Sequence, residues 1–212
     1  MSDYRTDEET VEQLARWWKE NGTFLVITLL LVFGGLFGWR WWQDESQRQA
    51  QAASALYYEW LEARGAGEAD SGAALAARLR SEYPESAYIA LLAFDDAARA
   101  ARDGDLAAAR RALEEVLEIG ATDAIEDIAR LRLARIELDD GDPRAALVLV
   151  EQIRQAESVS AAEELRGDAL LQLGRPDEAR GAYALALTTA VTGRPLLEMK
   201  IDDLDTPREP GE

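Results

Sequence analysis

The chain has 212 residues, of which 41 are acidic and 23 basic. Its formal net charge of -18 excludes nucleic acid as a partner, because phosphate binding needs a basic surface that releases counterions. Cysteine and histidine are both absent, which removes disulfides, the usual zinc ligands and the commonest general acid and base. A cysteine-free chain is compatible with an oxidising compartment without requiring one.

Residues 1–10 are polar and read as a short tail. Residues 11–21, VEQLARWWKEN, place Val11, Leu14, Trp17 and Trp18 at helical spacing. Two readings are open here: an amphipathic helix lying on a membrane surface and bent at Gly22, or a plain helical extension of the apolar segment beyond it. That segment, FLVITLLLVFGGLFGW over residues 24–39, carries no charge. Between the flanking charges Glu20 and Arg40 lie 19 uncharged residues, roughly 28 Å of helix, the thickness of a bilayer core. Trp17 and Trp18 precede it and Trp39, Trp41 and Trp42 succeed it, where amphipathic rings favour the headgroup layers. We read residues 22–42 as a transmembrane helix that interacts with membrane lipid. A cleaved secretory signal would need a basic leader, a shorter apolar core and small residues at the cleavage site, and this chain departs on each count. Gly34, Gly35 and Gly38 form a small-residue face on which another helix can approach closely, the candidate transmembrane contact. Arg5, Arg16 and Lys19 stand before the span and Arg40 and Arg48 after it, a bias too small to orient it.

Residues 43–64 form a helical pattern with Ala53, Leu56, Tyr57, Trp60 and Leu61 in a stripe. GAGEADSG, residues 65–72, reads as a turn, and a second helix over 73–83 ends before Pro84. From there a pattern repeats: Ala97, Ala109, Val116; Ala134, Ala146, Ile153; Gly167, Ala179, Ala186. Each set has a turn glycine in register, Gly104, Gly141 and Gly174, spaced as helical hairpins in a solenoid are. The last unit, GDALLQLGRPDEARGAYALAL, resembles the tetratricopeptide repeat, with Gly167 as the small residue of the first helix and Ala179, Tyr183 and Ala186 on the second. The earlier units depart from it, with Leu113 and Val150 at the aromatic position. After a break at Thr192, Gly193 and Pro195, residues 196–204 form a closing helix, and residues 205–212 a loose tail.

A wider resemblance covers nearly the whole chain. The acidic tail with its WWKENG approach, the glycine-rich span ending in GW-x-WW, the divergent repeats and the closing MKIDDL are similar to the ancillary subunits of the bacterial Sec translocon, the YfgM-like family. That resemblance implies a bacterial inner-membrane protein with residues 1–21 cytoplasmic and residues 43–204 a periplasmic repeat domain. It further implies association with the SecYEG translocon and a PpiD-type periplasmic chaperone, contact with exported polypeptides, and no cofactor.

The expected fold is therefore all-α: one N-terminal transmembrane helix, then a tetratricopeptide-like helical-hairpin solenoid with a short C-terminal capping helix. Catalysis is not expected. The acids scatter over solvent faces, and Asp139, Asp140, Gly141, Asp142 fails as a calcium loop because Ile136 and Leu138 would fall at ligand positions. In tetratricopeptide arrays the first helix of each hairpin lines the concave face, which makes Phe94, Asp95, Leu131, Arg132, Arg135, Glu164 and Asp168 the candidate groove. Two other readings stay open, a general envelope scaffold and a membrane-tethered cytoplasmic adaptor.

Overall fold

The computed structural model describes residues 7–205, and among these it contains nine α-helices and no strand. They are α1 (Asp7–Gly65), α2 (Ala69–Glu82), α3 (Ala87–Arg102), α4 (Leu106–Glu118), α5 (Asp123–Asp139), α6 (Pro143–Val150), α7 (Val159–Gln172), α8 (Pro176–Thr189) and α9 (Arg194–Asp205). The chain divides into two units at Ala55 and Leu56, so the last turns of α1 belong to the second. Residues 1–6 and 206–212, which hold most of both expected tails, lie outside the described residues.

In the first unit, α1 runs through Gly22 without a break, which favours the helical extension over a bent surface helix. Glycine at that position is packed: a Cβ there would come within 3.1 Å of the Trp18 ring. The side chain of Leu14 lies outside the described set, but Val11, Trp17 and Trp18 are exposed. The uncharged stretch displays apolar groups all round, with Phe24, Leu31 and Phe37 more than two-thirds exposed, a surface suited to lipid and costly in water. The hydroxyl in its middle is satisfied locally, since Thr28 Oγ1 donates to the Phe24 carbonyl at 2.9 Å. By length and composition this helix can cross a membrane.

The second unit is a row of antiparallel hairpins. The connection after α1 is shorter than the sequence suggests, because residues 69–72 are already helical in α2. The turns of α3–α4, α5–α6 and α7–α8 share one construction. Gly104, Gly141 and Gly174 take φ of 78°, 79° and 72°, and the next residue donates its N–H five residues back, Asp105 to Ala100, Asp142 to Glu137 and Arg175 to Leu170. That closes the first helix in a Schellman motif, which needs a left-handed residue at the glycine position. Asp105 and Asp142 then cap the second helix, accepting from Ala108 N at 2.8 Å and Ala145 N at 3.0 Å, whereas α8 begins on Pro176.

Between the helices of each hairpin the repeat residues form the core. Ala97, Ala109 and Val116 are buried, as are Ala134 and Ala146, and Gly167, Ala179 and Ala186. The tightest approach is at Gly167, where a Cβ would stand 2.3 Å from Tyr183 Cε1. Tyr183 is buried against Leu170, Ala179 and Leu197, so its ring has nowhere to go. Leu113 and Val150, at the aromatic position of the two divergent units, are also buried.

One element departs from the repeat. The period extends α6 to Ile153, but α6 stops at Val150, and Ile153 lies half-buried in a connection that ends in a short 3₁₀ turn, Ala156–Ser158. The cause is Asp127, fully buried on α5. Its Oδ2 accepts from Arg154 N at 3.0 Å and Gln155 N at 2.8 Å, and Oδ1 from Arg130 Nη1 at 3.2 Å. A carboxylate that takes two backbone N–H groups draws the chain out of the helix.

This packing sets the expected cost of two substitutions. Gly167→Ala gains helix propensity of about 1 kcal/mol but overpacks against Tyr183, giving a net loss of about 2 kcal/mol in urea unfolding of the detergent-solubilised chain. Asp127→Ala removes the acceptor of the part-buried Arg154 and Gln155 N–H groups and one of the two carboxylates that hold Arg130, which keeps Glu126, and costs about 2 kcal/mol in the same measurement.

Candidate interaction surfaces

Gly34, Gly35 and Gly38 are exposed within α1, and a Cβ on any of them would meet nothing within 4 Å. The close packing that makes other glycines of this chain necessary, as at Gly167, is absent at these three. Their side of the helix is open to a neighbour.

In the second unit α3, α5 and α7, the first helices of successive hairpins, carry the expected groove. The last turns of α1 stand in the same relation to α3: Tyr57 stacks on Tyr88 with centroids 4.8 Å apart, and Arg64 pairs with Asp95 seven residues further along both helices. Phe94 and Arg132 are brought together, the guanidinium lying 4.6 Å from the ring centroid. Arg135, Glu164 and Asp168 line one cleft of about 430 Å³ between α5 and α7, with Leu138, Leu165 and Leu171 as its apolar wall. Leu131 and Phe94 are half-buried and pack into the core, so they offer part of a surface rather than a free side chain. Asp95 is occupied by Arg64.

Glu164 and Asp168 are also engaged. Lys200 of α9 donates to Glu164 Oε1 at 2.8 Å and to Asp168 Oδ1 and Oδ2 at 2.7 and 2.8 Å, while Tyr183 Oη donates to Asp168 Oδ1 at 2.7 Å. Burial pulls the Lys200 ammonium down, but the bonds to Asp168 and Glu164 outweigh it and hold its pKa above the usual lysine value. Burial, and then the bond to Asp168, push the Tyr183 phenol up. The closing helix is thus fastened to α7 by ions and to α8 by the packing of Leu197.

The sequence pattern leaves out three surface residues of the same face. Leu91 and Ile128 are exposed and stand six residues before Ala97 and Ala134, and Arg102 is exposed at the end of α3. Their repeat register is the signal that identifies them. A second cleft, about 470 Å³, lies against Trp60, Leu92 and the alanines of α2, rimmed by Arg64, Arg80 and Arg99. Each of these arginines pairs with an acid, Arg64 with Asp95, Arg80 with Asp96 and Glu115, and Arg99 with Asp96.

A row of helical hairpins closed by small residues and glycine turns defines the tetratricopeptide class, and the sequence profile of the tetratricopeptide repeat-like domain matches residues 15–206. The chain belongs to that family. It is similar end to end to proteins named ancillary SecYEG translocon subunit: 29% identical to that of Escherichia coli over 96% of this chain and 99% of the relative. The proteins of that name from Haemophilus influenzae and Neisseria gonorrhoeae are 28% and 26% identical, over 93% and 96% of this chain and 97% and 100% of theirs. The resemblance read from the span, the repeats and the closing helix is borne out. No solved structure matches the chain.

The Lys200 cluster gives a pH prediction. Folded pKa values raised for Lys200 and Tyr183 mean that their stabilisation is fully present below their unfolded values of 10.5 and 10.0, and is lost as pH rises through the raised folded values. Lys200→Met should lower stability by about 2 kcal/mol at neutral pH. In thermal melts its deficit should stay constant up to about pH 10 and shrink only above about pH 10.5, as pH climbs from the unfolded value of Lys200 towards its raised folded value.

Proposed function

We propose that this chain is a non-enzymatic, membrane-anchored subunit of the Sec translocon, held in the bacterial inner membrane by α1 with residues 1–21 in the cytoplasm and the repeat domain in the periplasm. The observation that carries this reading is that similarity to the ancillary subunits spans the anchor and the repeats alike, 206 residues in the Escherichia coli comparison. A binding domain alone would match over the hairpins only.

In this reading the Gly34, Gly35 and Gly38 face packs on a helix of the SecYEG channel, since small residues let backbones approach within the bilayer. The groove across Phe94, Asp95, Leu131, Arg132, Arg135, Glu164 and Asp168 receives a PpiD-type chaperone or an exported polypeptide. Weak contacts suffice there, because two proteins confined to one membrane meet at a raised effective concentration. The links to the chaperone and to exported chains rest on the family resemblance and on the interaction surface that the hairpins present.

Photoreactive residues at Leu30 and Leu36 should crosslink to the translocon channel in membranes, and residues at Ile128 and Arg135 to a periplasmic chaperone or an emerging chain. Gly34→Leu with Gly38→Leu should abolish the first crosslink and leave the hairpins folded. Products from Ile128 and Arg135 with cytoplasmic proteins alone would overturn the orientation and leave a tethered cytoplasmic adaptor in its place.

A further inference from the structure

Resting on the reading of this chain as an interaction module, we infer that the face formed by α3 and α5 takes a partner segment in which an acidic side chain is flanked by apolar ones, its carboxylate going to Arg132 and Arg135. On α5, Ile128, Arg132 and Arg135 succeed one another at spacings of four and three, which puts them on one side of the helix. All three are exposed. Leu91 holds the position on α3 that Ile128 holds on α5, and the two are 41% and 42% exposed, an apolar row without cover.

Which charges already have partners decides the chemistry. Among the described residues, no carboxylate pairs with Arg132, Arg135 or Arg102. The acids around them do have partners: Asp95 takes Arg64, Asp96 takes Arg80 and Arg99, Glu126 and Asp127 take Arg130, and Glu137 takes Arg110. Glu164 and Asp168 take Lys200. Asp139 is the acid left over on this side of α5. Arg132 and Arg135 against one carboxylate leave a locally basic spot on a chain whose total is -18.

Arg132 is also preorganised. The Phe94 ring lies against its guanidinium, and a side chain already held in place loses less further entropy on accepting a carboxylate. Nucleic acid and anionic membrane fit poorly, since both would meet the field of the whole acidic molecule. A single carboxylate within an apolar segment gains the local charge and escapes most of that repulsion, which salt screens over about 8 Å.

The test uses the full chain in detergent micelles and three fluorescent peptides with one apolar sequence, carrying at the centre one glutamate, one glutamine or one lysine. The glutamate peptide should bind about tenfold more tightly than the glutamine peptide, with the lysine peptide weakest. In Arg132→Glu with Arg135→Glu the order should reverse, a gain for the lysine peptide that misfolding does not produce. Equal affinities, or an order unchanged by the double variant, would overturn the inference. So would self-association of the chain that buries Ile128 and excludes every peptide, which would assign the face to a second copy. The Leu30 crosslink to the translocon is read in parallel: its presence without a charge preference at the groove sinks this inference alone, and its absence in the unaltered chain sinks the translocon reading.

Discussion

Two helices joined by a three-residue turn lie flat against each other only if the side chains between them are small. Everything in the second unit depends on that constraint. Gly167 facing Tyr183 is its extreme form, since the ring occupies the space where any Cβ would stand. The aromatic side chain then does more than fill volume: its hydroxyl reaches Asp168, and Asp168 with Glu164 captures Lys200 of the closing helix. A missing methyl group on α7 is thus coupled through one tyrosine to the placement of α9. In the α3–α4 and α5–α6 hairpins, Leu113 and Val150 take the place of that tyrosine. They carry no polar group to extend such a chain, and packing alone sets their geometry.

Net charge poses the opposite problem, because 41 acids on a small chain repel one another. The structure distributes them by bridging helices with arginine. Arg80 joins α2 to α3 and α4, Arg110 joins α4 to Glu137 and Asp140 at the end of α5, and Arg64 joins α1 to α3. These arginines are about one-third exposed, so each bridge contributes little stability by itself, of order 1 kcal/mol or less. Their value lies in register. A planar fork that meets a carboxylate on a neighbouring helix fixes how far one hairpin slides along the next, which apolar contacts between alanines do poorly. With so many acids bound internally, the few arginines that no carboxylate holds become the distinguishing chemistry of the surface.

Most of the fold is legible in the sequence because its causes are local. The span comes from an uncharged run between tryptophans, and the hairpins from glycines in register with small residues at fixed intervals. Residues 69–72 have the look of a turn because glycine, serine and aspartate favour turns, yet Gly67 alone closes the connection with its positive φ, freeing the rest to begin α2. The period puts Ile153 on α6, whereas a buried aspartate on α5 pulls the chain away. No pattern along α6 carries that information, since the decisive group sits on another helix. Repeat register nominates the candidate groove residues, and register does not reveal partners. Asp95, Glu164 and Asp168 stand on first helices of hairpins, as their register requires, but the cations that hold them lie on α1 and α9.

The distinction between a charge at a position and a charge available for binding bears on how such a molecule would work. A surface whose every ion is paired internally recognises shape and apolar area, and suffers a desolvation penalty for each pair that a ligand covers. A surface with two guanidiniums that no carboxylate holds, beside Leu91 and Ile128, gains specificity with little penalty, because no internal ion pair has to be broken. High affinity is not required of it. A module tethered in the same membrane as its partners needs contacts that exchange quickly, and a shallow groove with one charged anchor meets that need better than a deep pocket would.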